Sequence, residues 1–255
     1  MTEFSANLGF LWTELSLPDA IRAAKKAGFS AVEMHWPYAT PAEDIKAALD
    51  ETGLPLLGIN TIRGDEGENG LCALVGREVE ATTSIRQAVD YAARTGAQAI
   101  HVMAGFAEGS AAHNCFVEHL RFACDSAPDL TILIEPLNHY DAPGYFLTSS
   151  AQAADIIAEV DRPNLKLMFD CYHLQIMEGD LTRRLTHHRD IIGHIQFASV
   201  PERAEPDLGE VNYQHIFAYL AELGFEAPIG AEYKPISGKT EEGLGWMRSL
   251  SAGGR

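Results

Sequence analysis

Leu165-Lys166-Leu167-Met168-Phe169-Asp170 is an apolar run that ends on a carboxylate. The arrangement recurs in Ile132-Leu133-Ile134-Glu135 and in Ile229-Gly230-Ala231-Glu232, while His194-Ile195-Gln196 ends on an amide. Carboxylates are costly to bury unless they are paired or bind a cation. Several of them at the same relative place in successive strand-like runs predict a convergent site. A parallel α/β barrel gathers the carboxyl ends of its strands on one face, and that face carries the chemistry.

Outward from these runs the chain repeats one unit: a helical stretch ending in Gly, a short connection, and an apolar run. Lys25-Lys26-Ala27-Gly28 leads into Ala31-Val32-Glu33-Met34, and Asp50-Glu51-Thr52-Gly53 into Leu54-Pro55-Leu56-Leu57. Ala93-Arg94-Thr95-Gly96 leads into Ala99-Ile100-His101-Val102, and Glu222-Leu223-Gly224 into Pro228-Ile229-Gly230-Ala231. Gly just past a helix adopts the left-handed conformation without a Cβ clash. Helix starts are marked too. Thr40-Pro41-Ala42-Glu43 reads as a capping box with Pro at the first helical position, and Ser16-Leu17-Pro18-Asp19 follows it with Asp for Glu. Ser149-Ser150-Ala151-Gln152 and Thr240-Glu241-Glu242 open later helices in the same manner.

Eight strand candidates result, near Phe4–Leu8, Ala31–His35, Pro55–Asn60, Ala99–Met103, Ile132–Glu135, Leu165–Asp170, His194–Ala198 and Pro228–Glu232. Eight is the number that a closed α/β barrel needs. Helical patterns separate the runs, so the sheet should be parallel, and the runs are too apolar for a half-solvated antiparallel sheet. The expected architecture is a (β/α)8 TIM barrel forming a single domain over residues 1–255. A doubly wound open sheet is the alternative, but no G-x-G-x-x-G follows an early strand. The longest irregular stretch, Thr61 to Gly76, contains four glycines and follows the third strand. It should lie over the active face, as a lid would.

Composition narrows the function. The 255 residues are 46% hydrophobic and 22% charged, ordinary for one large globular domain. A net charge of -17 repels phosphate backbones and argues against nucleic-acid binding. Cys72, Cys115, Cys124 and Cys171 form no C-x-x-C pair, so reduced thiols in a cytoplasmic protein are expected. The opening Met-Thr-Glu-Phe-Ser-Ala has no basic n-region, and no membrane span or membrane partner is indicated. The sequence leaves a homo-oligomer open.

Glu135 is followed by Pro136, which ends its strand, and Asp170 sits in Phe169-Asp170-Cys171-Tyr172-His173. Asp170 and His173 reach one site if the chain turns there, although Asp170 also suits a helix N-cap. Gln196 offers an amide oxygen that a hard cation accepts, or a core hydrogen bond. Glu232 either joins the site or pairs with Lys234. His101 either faces the same cavity or is a satisfied core histidine. Three carboxylates and an amide make an oxygen-rich set that suits Mg²⁺ or Mn²⁺ better than zinc. Two carboxylates flanking a substrate can take a proton from one carbon and return it to its neighbour. Arg203 and Lys234 are the basic residues placed to hold a substrate carboxylate or phosphate; ion pairs with Glu205, Asp207 or Glu232 are the plainer use of them. Ser237-Gly238-Lys239-Thr240 fits either a phosphate grip or a capped turn. His187-His188, in a charged stretch, suggests a solvated helix face.

Several strings together resemble one family. They are Asn7-Leu8-Gly9-Phe10-Leu11-Trp12-Thr13-Glu14, His101-Val102-Met103-Ala104-Gly105, Glu135-Pro136-Leu137-Asn138 and Phe169-Asp170-Cys171-Tyr172-His173. Glu205-Pro206-Asp207-Leu208-Gly209-Glu210-Val211-Asn212-Tyr213 and Glu232-Tyr233-Lys234-Pro235 with Thr240-Glu241-Glu242-Gly243-Leu244-Gly245-Trp246 complete the set. The chain resembles the hydroxypyruvate isomerase family, within the xylose-isomerase-like TIM barrel superfamily. The resemblance implies aldose–ketose isomerisation of a small hydroxy-oxo acid, hydroxypyruvate to tartronate semialdehyde, through a metal-stabilised enediolate. It implies that Glu135 and Glu232 are the acid/base pair and metal ligands, that Asp170 and Gln196 complete the metal shell, and that His173 and Arg203 hold substrate. Related ketose epimerases carry His where this chain has Gln196, and relatives acting on 2-oxotetronates share these motifs. An endonuclease-IV-like phosphodiesterase, a cyclic-polyol lyase and a non-catalytic binding barrel are the competing readings.

Overall fold

The computed structural model describes residues 2–251. Eight strands close on themselves in sequence order, every neighbouring pair parallel, with the first strand hydrogen-bonded to the last. They are β1 (Phe4–Asn7), β2 (Ala31–Met34), β3 (Leu56–Asn60), β4 (Ala99–His101), β5 (Thr131–Ile134), β6 (Leu165–Asp170), β7 (Ile192–Phe197) and β8 (Ile229–Ala231). The outer helices are α1 (Leu17–Ala27), α2 (Ala42–Thr52), α3 (Glu78–Thr95), α4 (Gly109–Ser126), α5 (Ser150–Val160), α6 (Cys171–Met177), α7 (Leu181–His187) and α8 (Tyr213–Glu222). Two short helices end the described chain, α9 (Thr240–Gly243) and α10 (Trp246–Ser251). This is a TIM barrel, with every strand within two or three residues of its sequence-based limits.

The helix ends follow the chemistry of their residues. Gly28, Gly53 and Gly96 all have positive φ, and each donates its backbone N–H back to the preceding turn. Ser16 and Ser149 cap their helices as expected, through Asp19 and Gln152. Thr40 does not: α2 starts at Ala42 with no side-chain cap, and Thr40 stays extended at the end of a 3₁₀ turn. Thr240 lies inside α9, and its hydroxyl accepts the backbone N–H of Trp12 at 2.7 Å instead of capping. A contact from a distant part of the chain replaced the local one. His188 also departs from the solvated face expected of it. It is buried at the end of α7, with Nε2 3.1 Å from the Ser150 hydroxyl.

The stretch from Thr61 to Gly76 crosses the carboxyl-end face, but it is tied down. Gly70 bridges Ala104 beyond β4, and Ala73 donates to the Ala104 carbonyl at 2.7 Å. A Cβ on Gly70 would meet the Met103 carbonyl oxygen at 2.5 Å, and its φ is 113°, so only glycine lets the two segments approach. The segment is therefore a wall of the site, pinned at its middle.

An aromatic cluster closes the barrel's outer layer. Trp246 is fully buried, packs edge-on against Phe4, Phe197 and Tyr233, and donates its indole N–H to the Tyr233 hydroxyl at 3.0 Å. It fastens α10 to β1, β7 and the end of β8. Removing such a side chain costs lost transfer energy plus a cavity, so Trp246→Ala should lower stability by ~3–5 kcal/mol. Urea denaturation measures this; a loss below ~1 kcal/mol would contradict the fastening role.

Candidate active site

Strand alternation decides which side chains enter the barrel. Leu133 and Glu135, Met168 and Asp170, and Gly230 and Glu232 lie two apart and share the inward face, the second of each pair at the carboxyl end. Glu135, Asp170, His173 and Glu232 each place a ligand atom within 4.8 Å of one another, all buried. Above them opens a cavity of about 330 Å³, lined among others by Phe10, Trp36, Arg63, His101, Arg203 and Lys234.

The two glutamates are in opposite electrostatic states. Burial pushes Glu232 up, but the Arg203 charge and the His35 hydrogen bond outweigh it and hold the carboxyl well below its usual range. Its Oε1 accepts from Asn7 Nδ2 at 3.0 Å and lies 2.8 Å from His35 Nε2, while Oε2 is paired with Arg203. Glu135 has no such company. Its Oε1 is buried without a hydrogen-bond partner, and the nearest basic atom to Oε2 is His101 Nδ1 at 3.6 Å. Burial, then the Glu232 and Asp170 charges, push Glu135 well up.

Asp170 serves two ends. One oxygen caps α6 by accepting the Tyr172 N–H at 2.7 Å; the other is buried without a partner. The N-cap and site readings of Asp170 are therefore both realised. Burial and the Glu232 charge push its carboxyl up to about 7. His173 follows one turn later. Its Nδ1 accepts the backbone N–H of Asn138 at 3.0 Å, so in the neutral ring the proton sits on Nε2. That atom lies 3.8 Å from Asp170 and 3.9 Å from Glu135. Burial, then the Arg203 charge, lower His173 to about 3, which keeps it neutral. His173 is thus fixed as a hydrogen-bond donor toward the cavity, with no lone pair left for a cation.

Gln196 points its amide nitrogen at Glu33 Oε2, 2.8 Å away, and at Glu232 Oε1, 3.4 Å away. Its Oε1 is buried and unpartnered. Unsatisfied buried oxygens on Glu135 and Asp170, gathered with Glu232, match the donor chemistry of a hard divalent cation, so the residues present can hold one. Glu33 also accepts from Ser5 and lies 3.0 Å from His194 Nε2. Gly230 makes room for it, since a Cβ there would meet Glu33 Oε1 at 2.4 Å.

Arg203 pairs with neither Glu205 nor Asp207. It reaches Glu232 and, at 3.1 Å, Asp141, with its guanidinium between the rings of Phe10 and Tyr172. Its backbone is held left-handed, at φ 52°. Lys234 lines the cavity but makes no ion pair with Glu232; its Nζ lies 5.6 Å from the Phe10 ring centre. His101 is buried against Glu135, with Nε2 unpartnered, and burial lowers it to about 4. Ser237 turns back on Lys239 N, and Lys239 pairs with Glu242, so the capped turn accounts for that string.

Asn7, Glu33, His35, Asn138 and Asp141 belong to the site but were given no role from the sequence. Glu33 carried the signal used for the others, an acid inside the apolar run Ala31-Val32-Glu33-Met34. His35 and Asp141 act only through contacts made by the fold.

The family model for the xylose isomerase-like TIM barrel matches residues 21–250. A Cupriavidus necator protein named 2-oxo-tetronate isomerase is 43% identical, covering 97% of this chain and 98% of that protein. The Escherichia coli K12 protein named hydroxypyruvate isomerase is 38% identical over 97% of this chain and 98% of its own length. A crystal structure from Brucella melitensis, described as an AP endonuclease of family 2, superposes with a TM-score of 0.93 at 39% identity, covering 98% and 99% of the two chains.

Crowding three carboxylates has a cost that one substitution exposes. In chelator-treated protein, Asp170→Asn keeps the Tyr172 cap, because Asn caps as well as Asp. Folding raises the Asp170 pKa from 3.8 to about 7, so its ionisation opposes folding progressively as pH rises through that window. The variant should melt on the order of 5 °C above wild type near pH 8 and match it near pH 4. Thermal denaturation at both pH values checks this, and an equal melting temperature near pH 8 would contradict it.

Proposed function

The chain belongs to the xylose isomerase-like TIM barrel family, and we propose that it isomerises a small hydroxy-oxo acid, with hydroxypyruvate as the leading substrate. The observation that carries this reading is the pair Glu135 and Glu232, facing one cavity in opposite electrostatic states. Relatives named hydroxypyruvate isomerase and 2-oxo-tetronate isomerase, 38% and 43% identical, support it.

Glu232, kept as a carboxylate, takes a proton from C3 of hydroxypyruvate and leaves an enediolate across C2 and C3. Glu135 delivers a proton to C2; burial and the neighbouring carboxylates favour its protonated form in the cation-free protein. The C3 hydroxyl proton passes to the C2 oxygen, and the product is tartronate semialdehyde. The two carboxyls end with exchanged protonation, ready for the reverse direction. His173 donates from Nε2 to a substrate oxygen, and neutral His101 lies beside Glu135. Glu135, Asp170, Gln196 and Glu232 would hold a divalent cation, Mg²⁺ or Mn²⁺ by the hardness of these oxygens, and it would supply stabilisation of the negative charge that develops on substrate oxygen. The proposed setting is the cytoplasm, which four free cysteines suit. Among the described residues no helix is long and apolar enough to cross a membrane.

The name of the Brucella neighbour raises a phosphodiesterase reading. The net charge of -17 weighs against a polyanionic substrate, and the described residues hold one candidate cation cluster. Tight binding of abasic DNA would revive that reading.

In heavy water the protein should place deuterium at C3 of hydroxypyruvate while forming the semialdehyde; the absence of both exchange and semialdehyde would overturn the hydroxypyruvate reaction. Glu135→Gln and Glu232→Gln should each lower kcat by at least ~100-fold, and full activity in either removes its role. Chelation should suppress turnover and Mn²⁺ should restore it; turnover indifferent to chelation removes the cation from the reaction. Running 2-oxotetronates beside hydroxypyruvate reads the preferred chain length.

A further inference from the structure

The substrate proposed above is an anion, yet the floor of the cavity is a cluster of buried carboxylates. Something must hold the substrate's charge away from that floor. Apart from histidines, three cationic side chains line the cavity: Arg63, Arg203 and Lys234. Arg203 is already committed to Asp141 and Glu232. Among the described residues, neither Arg63 nor Lys234 has a carboxylate in ion-pair contact, although the chain carries 36 acidic residues against 19 basic ones. The contrast with a nearby arginine is sharp. Arg77, just past the pinned wall, gathers Glu68 and Glu80, and Arg63 is left unneutralised beside the cavity.

Arg63 is also held in place. Its guanidinium lies 4.8 Å from the centre of the Trp36 ring, another cavity wall. Its carbonyl accepts the Gly70 N–H at 2.7 Å, and Gly70 is the residue that pins the segment to Ala104. Lys234 is fixed at its backbone, where its N–H donates to the Arg203 carbonyl at 2.7 Å. Two cations without an ion-pair partner thus line one acidic cavity.

We propose that Arg63, acting with Lys234, binds the substrate's carboxylate at the cavity mouth and selects acids over neutral ketoses. The charged end stays at the rim, and the hydroxy-ketone carbons lie over Glu135 and Glu232. Arg63 offers a planar fork that matches a carboxylate, and Lys234 adds a point charge. The anchor rests on the isomerase reading for the identity of the acid, not for its charge.

The test pairs each acid with its neutral counterpart in cation-replete protein. Glycerate and glycerol are compared by calorimetry, and hydroxypyruvate and 1,3-dihydroxyacetone by isomerisation. Arg63→Gln should weaken glycerate by ~10-fold, and Arg63→Lys should recover part of that loss. The same variant should raise KM for hydroxypyruvate more than it lowers kcat, and the preference for hydroxypyruvate over dihydroxyacetone should fall about as far as glycerate affinity does. Its melting temperature should hold, since Arg63 is exposed. Unchanged glycerate affinity in Arg63→Gln overturns the anchor, as does an equal loss for the neutral partner. The two readings separate cleanly. Wild-type protein that binds glycerate through Arg63 but turns over no acid keeps the anchor and loses the isomerase. Hydroxypyruvate turnover with a KM unaffected by Arg63→Gln does the reverse.

Discussion

Burying Glu135, Asp170 and Glu232 around one point is the constraint to which the rest of the site answers. Like charges this close cannot all stay ionised in a dry cavity. The fold distributes the cost unevenly. Glu232 receives nearly all the local compensation, from Asn7, His35, Gln196 and Arg203. Glu135 and Asp170 are left with unpartnered oxygens and raised pKa values. One carboxyl is thereby favoured as its anion and its partner as the neutral acid, which is the asymmetry that the proposed reaction uses. Arg203 makes this possible, and its own backbone is strained at φ 52° to do it.

The same uneven treatment separates floor from rim. Arg203, deep in the cavity, is consumed by carboxylates, so the proposed anchor for a substrate anion lies at the mouth. A small acid bound that way has its charged end and its reacting carbons at opposite depths. In that proposed pose, binding energy from the carboxylate would orient C2 and C3 without placing a further negative charge among the glutamates.

Much of this was legible because the signals are local. A strand that must be buried on both faces reads as an apolar run, and a carboxylate at its end stands out, as with Glu135, Asp170 and Glu232. Helix-ending glycines mark the connections, because few other residues accept their backbone. What stayed hidden depends on distant partners. Thr40 and Thr240 both look like caps, but one is bypassed by a 3₁₀ turn and the other is claimed by Trp12. The obvious acidic partners of Arg203 are its neighbours Glu205 and Asp207, yet a turned backbone aims it at Glu232 and Asp141. Asn138 sat inside a recognised string, but only the fold shows it fixing the His173 tautomer.

Gln196 shows what an amide can do that an imidazole in its place could not. A neutral imidazole presents its donor and acceptor on different sides of the ring, so it can serve a carboxylate or a cation along any one direction. The amide carries both functions at one end. Its nitrogen donates toward Glu33 and Glu232 together, while its oxygen remains buried and unpartnered. Which way the amide points is set from below by Glu33, whose other contacts are Ser5 and His194. Gly230 leaves the space that lets Glu33 stand there. The polar layer beneath the cavity thus fixes the orientation of a side chain in the layer above it. Inside this barrel an apolar cluster of Ala99, Leu133 and Met168 coexists with that polar layer, and the orientation of Gln196 near Glu232 depends on Glu33, a carboxylate outside the candidate cation cluster.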